Sequence, residues 1–90
     1  MKQIQPISIW SNGNYINASV LNFYVINDNL NNNAIFYYAL FSGTVDQIEI
    51  KLADGNLLME GQDYINYSTS QNSIEYAYNY AAQKLNLQII

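Results

Sequence analysis

Residues 34–41 read AIFYYALF, the longest apolar run in the chain. The run is far shorter than the roughly 20 apolar residues of a transmembrane helix. Its aromatic and β-branched residues favour a strand. A strand that is apolar on both faces is typical of the middle of a sheet, where both faces are covered. We therefore expect a central strand here, covered by a helix and a second sheet or by another subunit.

The segment before this run predicts a hairpin. Residues 4–10 alternate between apolar and other side chains, and Pro6 indicates an edge strand because proline cannot donate to the hydrogen-bond ladder. Asn12 and Gly13 follow, and both can adopt the positive φ angles that a two-residue hairpin turn requires. The return strand should begin at Tyr15.

Several more short strands are expected around the central one. Residues 20–26 are β-branched and aromatic, and the asparagine-rich residues 27–33 predict a loop. After a turn, residues 48–52 alternate cleanly between isoleucine or leucine and charged side chains. Asp54-Gly55 then predicts a second hairpin turn, with residues 56–60 as its return strand.

From Asn72 onward the apolar period changes from two residues to about 3.6, which predicts a helix. Asn72 and Glu75 resemble a capping box, so the helix should begin near Ser73. Asn86 fits the left-handed residue after a helix end, and residues 87–90 suggest a short final strand. The predicted core stripe consists of Ile74, Ala77, Tyr78, Ala81 and Leu85.

Strands grouped before a helix, without strand–helix alternation, predict an α+β fold. We expect a single domain, residues 1–90, with a small antiparallel β-meander of about five or six short strands and one C-terminal helix. The alternative is a small β-sandwich with a peripheral helix.

The composition argues against enzymatic chemistry. The chain has no histidine, cysteine or arginine, so the usual proton shuttles, thiol chemistry and bidentate anion recognition are missing. We expect no catalytic site, no cofactor and no metal, although Asp54, Glu60 and Asp63 are an acidic group that could be considered for calcium. Three scattered lysines and a net charge of −4 argue against direct binding of nucleic acid.

Aromatic residues are the best candidates for a contact surface. Tyrosine offers a large rigid contact at low entropic cost, and tryptophan is a favoured interface anchor. Tyr76 and Tyr80 are four residues apart, on the helix face that we predict to lie opposite the core stripe. With Trp10 beside the first turn and Tyr37 in the central strand, they are our candidate protein-contact residues. The alternative is that these aromatic side chains only contribute to packing.

The beginning of the chain, MKQIQP, lacks the apolar segment of a signal peptide. We therefore expect a protein made in the cytoplasm, not secreted and not membrane-bound.

Several sequence segments resemble segments of the small proteins of tailed bacteriophages that infect gut Bacteroidetes, the crAss-like group among them. The segments are IQPISIW at residues 4–10, AIFYYAL at 34–40, DGNL at 54–57, EGQDY at 60–64 and EYAYNY at 75–80. The resemblance extends over most of the chain, but it includes no catalytic motif.

The resemblance implies a virion structural component, such as a capsid-decorating, head-fibre or connector subunit. Such a protein would act by assembly with other virion proteins or with itself, as a homo-oligomer located in the virion. Two alternatives remain open. The chain could be a small phage-encoded inhibitor of a host protein, or a carbohydrate-binding attachment module.

Overall fold

The computed structural model describes all 90 residues, Met1–Ile90, as four antiparallel strands followed by two helices. The elements are β1 (Lys2–Ser11), β2 (Asn14–Asp28), β3 (Asn33–Gly43), β4 (Ile48–Glu60), α1 (Gly61–Thr69) and α2 (Ser73–Leu85). The strands form one sheet in the order β1-β2-β3-β4, so the predicted α+β class and β-meander are confirmed. The expected five or six strands and single helix are wrong, and so is the sandwich alternative.

Two predicted breaks between strands are absent, which explains the smaller number of strands. The return strand from Tyr15 and the strand at residues 20–26 are one continuous strand, β2, of 15 residues. Gly55 does not turn the chain but pairs with Tyr38 inside β4. A Cβ atom at Gly55 would lie 2.8 Å from the Tyr38 hydroxyl oxygen. The glycine therefore serves a close approach of the Tyr38 ring to the backbone, not a turn.

The hydrophobic core lies between one face of the sheet and the two helices. Phe23 on β2 and Phe36 on β3 stack with ring centroids 4.8 Å apart, and the Tyr67 ring of α1 meets Phe36 edge-on at 5.4 Å. Both phenylalanines are buried. The predicted central strand is therefore confirmed as an interior strand, with the helices covering one of its faces.

Helix α2 has the predicted ends, and Ala77, Tyr78 and Ala81 of the predicted core stripe are buried. Ile74 of that stripe is exposed, and Tyr80 is buried instead. The Asn72 side chain accepts a hydrogen bond from the Glu75 N–H at 3.1 Å, and Asn86 is left-handed with φ 57°. Ala77, Ala81 and Ala82 are buried against the sheet. The longer side chains of Tyr78 and Tyr80 on the same helix belong to the core as well.

Helix α1 was not expected. Its N-terminus has no side-chain cap, and only Tyr64 of its nine residues is buried. Tyr64 and Tyr67 are three residues apart, and both side chains pack in or against the core. They are the one pair of aromatic side chains at helical spacing in this short segment. A short final strand was predicted at residues 87–90. The structure has a single antiparallel bridge there, between Ile89 and Ile4.

The sheet face opposite the helices carries no covering element, so the expected second sheet is absent. Its own side chains shield part of it. Tyr24 and Tyr37 lie side by side with ring centroids 5.4 Å apart, and Ala39 is buried beneath its neighbours. The molecule is elongated, with extents of 43 × 22 × 19 Å.

Candidate binding groove beside strand β2

Strand β2 is longer than its partner β1, and this difference leaves a free sheet edge. The hairpin turn pairs Ser11 with Asn14, and a bulge around Pro6 then shifts the register so that Lys2 pairs with Leu21. The second half of β2, residues 22–28, therefore pairs with β3 on one side and with no strand on the other.

A largely apolar cavity of about 290 Å³ lies along this free edge, between β2 and the two helices. We call it the β2 groove. Its lining includes Met1, Phe23, Val25, Phe36, Ile74 and Ala77. Ligand pockets of proteins begin at about this size and are mostly apolar, with a few polar groups. The groove is therefore large enough for one or two apolar side chains.

Large apolar side chains form the rim of the β2 groove and are exposed to solvent. Ile74, on the first turn of α2, is 69% exposed, and Val25 is 41% exposed. Met1 and Tyr24 are exposed as well and also line the groove. A contiguous exposed apolar patch around a cavity is typical of an interaction site, whereas scattered single apolar residues are not.

A polar pocket of about 320 Å³ adjoins the β2 groove and shares Tyr67 and Ser73 with it. We call it the acidic pocket, because Asp28 is its only charged lining residue. Oδ1 of Asp28 accepts hydrogen bonds from the Tyr64 hydroxyl at 2.7 Å and from the Leu30 N–H at 2.8 Å. Oδ2 receives no hydrogen bond within the chain and faces no lysine partner.

The environment of the two cavities shifts the titration of their tyrosines. The hydrogen bond to Asp28, together with burial, raises the pKa of Tyr64. Burial, and then the charge of Asp28, raises the pKa of Tyr67. Burial also raises the pKa of Tyr78, whose hydroxyl accepts a hydrogen bond from the Phe23 N–H at 3.3 Å. These tyrosines stay neutral at ordinary pH, so Asp28 is the charged group that a ligand would meet.

Trp10, one of the predicted contact residues, lies at the tip of the β1–β2 hairpin. It is 63% exposed, and its ring meets that of Tyr15 edge-on with centroids 5.1 Å apart. Asn12 and Gly13 have φ angles of 50° and 84°, as the predicted turn requires. Trp10 is therefore largely exposed, and it lies outside the β2 groove.

Tyr37 lies on the uncovered sheet face, where a small polar network holds it. Its hydroxyl donates to Asp54 at 2.7 Å, and Lys51 donates to the same carboxylate at 3.2 Å. These two hydrogen bonds lower the pKa of Asp54. The hydrogen bond to Asp54 raises the pKa of both Tyr37 and Lys51.

The two helical tyrosines differ from their predicted placement. Tyr80 is only 7% exposed, and its hydroxyl donates to the Leu58 carbonyl at 2.9 Å, so its expected position on the outer face is wrong. Tyr76 is half-buried and its hydroxyl lies 3.4 Å from Asp63. Ile74, which we expected in the core, is exposed instead. None of the four predicted contact residues lines the β2 groove.

The structure has no group of three acidic, histidine or cysteine side chains that could hold a metal ion. Asp54 and Asp63 lie on different elements and bond to different tyrosines. Neither helix is long and apolar enough to cross a membrane.

Sequence reasoning missed the β2 groove, but one signal for it was present. Counting outward from the Asn12-Gly13 turn pairs Lys2 with a residue near Phe23. In this register the residues of β2 beyond Phe23 lie past Lys2, the first residue of β1. The exposed run of Tyr24, Val25 and Ile26 lies in this unpaired part.

Comparisons with protein-family models, with curated proteins and with solved structures gave no significant match.

Proposed function

We propose that this chain is a non-enzymatic module that acts by protein–protein assembly, and that the β2 groove is its contact surface. The observation that supports this most directly is the exposed apolar rim of Met1, Tyr24, Val25 and Ile74 around a cavity that is open to solvent. Burying one such side chain in a partner contributes about 1.5–3 kcal/mol.

The other exposed surfaces support the proposal less well. Tyr37 is committed to Asp54 within the chain, so a partner on that face would have to compete with an existing network. Trp10 and Tyr15 form an isolated aromatic pair without a cavity beside them. The β2 groove combines apolar area, concave shape and unpaired backbone, three features of protein-binding sites.

The setting we propose is a virion, where this chain is a capsid-decorating, head-fibre or connector subunit. This part of the proposal rests on the resemblance to small proteins of tailed phages. A chain with 11% charged residues and an exposed apolar groove suits a subunit whose surface is completed by a neighbour.

The experiment that tests the function is selection of peptides from a random library on the immobilised full chain. Selected peptides are then compared on three proteins: the natural sequence, Ile74→Lys and Ile65→Lys. Ile65 is an exposed isoleucine on α1 that does not line the β2 groove, so it is the matched control. We expect peptides that bind the natural chain and Ile65→Lys but lose at least about tenfold in affinity for Ile74→Lys. Failure to select any binder, or binders indifferent to Ile74→Lys, would contradict the proposal.

A further inference from the structure

We propose that the β2 groove binds an extended segment of a partner protein, which adds to the sheet as a strand antiparallel to β2. In this segment a lysine or arginine comes two residues before a large apolar side chain. The inference rests on the proposed function and names the chemistry of the partner.

The backbone of β2 has unpaired hydrogen-bonding groups along its free edge. Backbone N–H and C=O groups of alternate residues point to the same side of a strand. The Phe23 N–H bonds to the hydroxyl of Tyr78 on α2, so we place the N–H and C=O of Phe23 on the side of β2 that faces away from β3. Val25 is the next residue in this series, and no strand lies beside it. Its N–H and C=O are therefore free to pair with an added strand.

The other sheet edges are less suited to strand addition. Strand β4 carries Glu49, Lys51 and Asp54 along its edge and two register irregularities, which are the usual protections against pairing. The edge of β1 near its start is occupied by the chain's own C-terminal residues, with the Gln5 N–H bonded to the Gln88 carbonyl at 2.8 Å. Residues 22–27 of β2 contain no charge and no proline.

The β2 groove defines the apolar side chain of the segment. Val25 and Phe36 are register partners and lie on the helix side of the sheet. A residue added opposite Val25 would therefore direct its side chain to the helix side, into the cavity lined by Ile74 and Ala77. At about 290 Å³, the cavity takes a leucine, isoleucine or phenylalanine.

The acidic pocket defines the basic residue and its spacing. A bulge between Val25 and Asn27 brings Asp28 to the same side of the sheet as Val25, and on β3 their partners Ala34 and Phe36 are two residues apart. An added strand antiparallel to β2 runs past Asp28 before Val25, so the basic residue comes first. Oδ2 of Asp28 is free to accept its hydrogen bond, because the two intrachain bonds use Oδ1.

A second copy of this chain does not fit the groove. The chain has no arginine, and each of its three lysines lies within a strand or a helix: Lys2 in β1, Lys51 in β4 and Lys84 in α2. Lys2 and Ile4 have the spacing that we propose, but Lys2 pairs with Leu21 and Ile4 is fully buried. A copy could therefore offer this segment only by detaching β1 from its own sheet. The occupant is therefore an extended segment of a different protein.

The test is a titration of the isotope-labelled full chain with short blocked peptides, followed by NMR of the backbone amides. Four peptides have threonine at every second position and differ in their central three residues. These are Lys-Thr-Leu, Gln-Thr-Leu, Glu-Thr-Leu and the reversed Leu-Thr-Lys. A fifth peptide carries an N-methyl group on the leucine nitrogen, which blocks its pairing with the Val25 carbonyl. Asp28→Asn keeps the Oδ1 acceptor and removes the charge, and Asp54→Asn on the opposite face is its matched control.

We expect Lys-Thr-Leu to bind best, with slowed amide exchange at Val25. The preference for lysine over glutamine should be about two- to fivefold, the range of exposed ion pairs, and should vanish in Asp28→Asn but not in Asp54→Asn. N-methylation should weaken binding about tenfold.

Binding without this charge order, without an effect of N-methylation, or with the amide changes on another face would overturn the inference. If selected library peptides still depend on Ile74 in that case, the proposed function stands without the strand addition. If no peptide of either kind depends on Ile74, both fail.

Discussion

Tyr80 and Ile74 exchange the roles that periodicity suggests for them, and paired alanine substitutions test this exchange. Tyr80→Ala removes a ring that is 7% exposed together with its hydrogen bond to the Leu58 carbonyl. Ile74→Ala removes a side chain that is 69% exposed. Both residues are on α2, so the change in helix propensity is favourable in each case.

The expected loss of stability follows from burial. Replacing a buried aromatic residue by alanine costs about 3–5 kcal/mol. A domain of this size has a total free energy of unfolding of about 5–13 kcal/mol, so Tyr80→Ala removes a large part of it. Each kcal/mol corresponds to about 4–8 °C in the melting temperature of such a domain. Ile74→Ala should change the free energy of unfolding by no more than about 0.5 kcal/mol.

The assay is urea unfolding followed by circular dichroism, with Tyr80→Phe as the intermediate variant. Tyr80→Phe keeps the ring and loses only the hydrogen bond, so we expect a cost of about 0.5–1.5 kcal/mol. The order Tyr80→Ala, Tyr80→Phe, Ile74→Ala is the prediction. A Tyr80→Ala variant as stable as Ile74→Ala would refute the placement of α2 on the sheet, and with it one wall of the β2 groove.

Gly13→Ala should lower the free energy of unfolding in urea by about 1–2 kcal/mol, because Gly13 has φ 84° and alanine is strained there. An added Cβ would meet no atom within 4 Å, so only backbone strain acts. An unchanged free energy of unfolding would contradict the turn. Asn72→Ala should cost about 1 kcal/mol through loss of the cap on the Glu75 N–H, and Asn72→Ser, which can also cap, should recover most of it. Alkaline titration should show five of the nine tyrosines ionising above their usual range. Since the folded state raises these pKa values, their contribution to stability is complete below about pH 10 and is lost as pH rises through the folded values. Nine tyrosines with one common midpoint near pH 10 in the folded protein would exclude these environments.

Local sequence signals predicted the features that depend on a few neighbouring residues. The Asn12-Gly13 turn, the cap of α2 at Asn72 and the left-handed Asn86 are all present, because each is decided by the conformational preferences of one or two residues. The apolar residues 34–41 also occupy an interior strand, since no other position in a four-stranded sheet pairs them on both sides.

Features that depend on packing between elements were not predictable in the same way. Asp54-Gly55 has the sequence of a turn, but the Tyr38 ring from β3 covers Gly55 and the strand continues. The packing of α2 on the sheet buries Tyr80 together with Ala77 and Ala81 and leaves Ile74 outside. The β2 groove exists because β1 is shorter than β2, a relation between two strands that appears only when their register is followed to the end.

Backbone amide exchange at Val25, compared with Tyr24, reports directly whether the edge of β2 is free. Tyr24 pairs with Tyr37 of β3, so its amide should be protected nearly as well as the sheet interior. We predict that the Val25 amide of the unliganded chain exchanges orders of magnitude faster than that of Tyr24. Equal protection of the two amides in dilute solution would mean that this edge is already covered, and would contradict the proposed binding site.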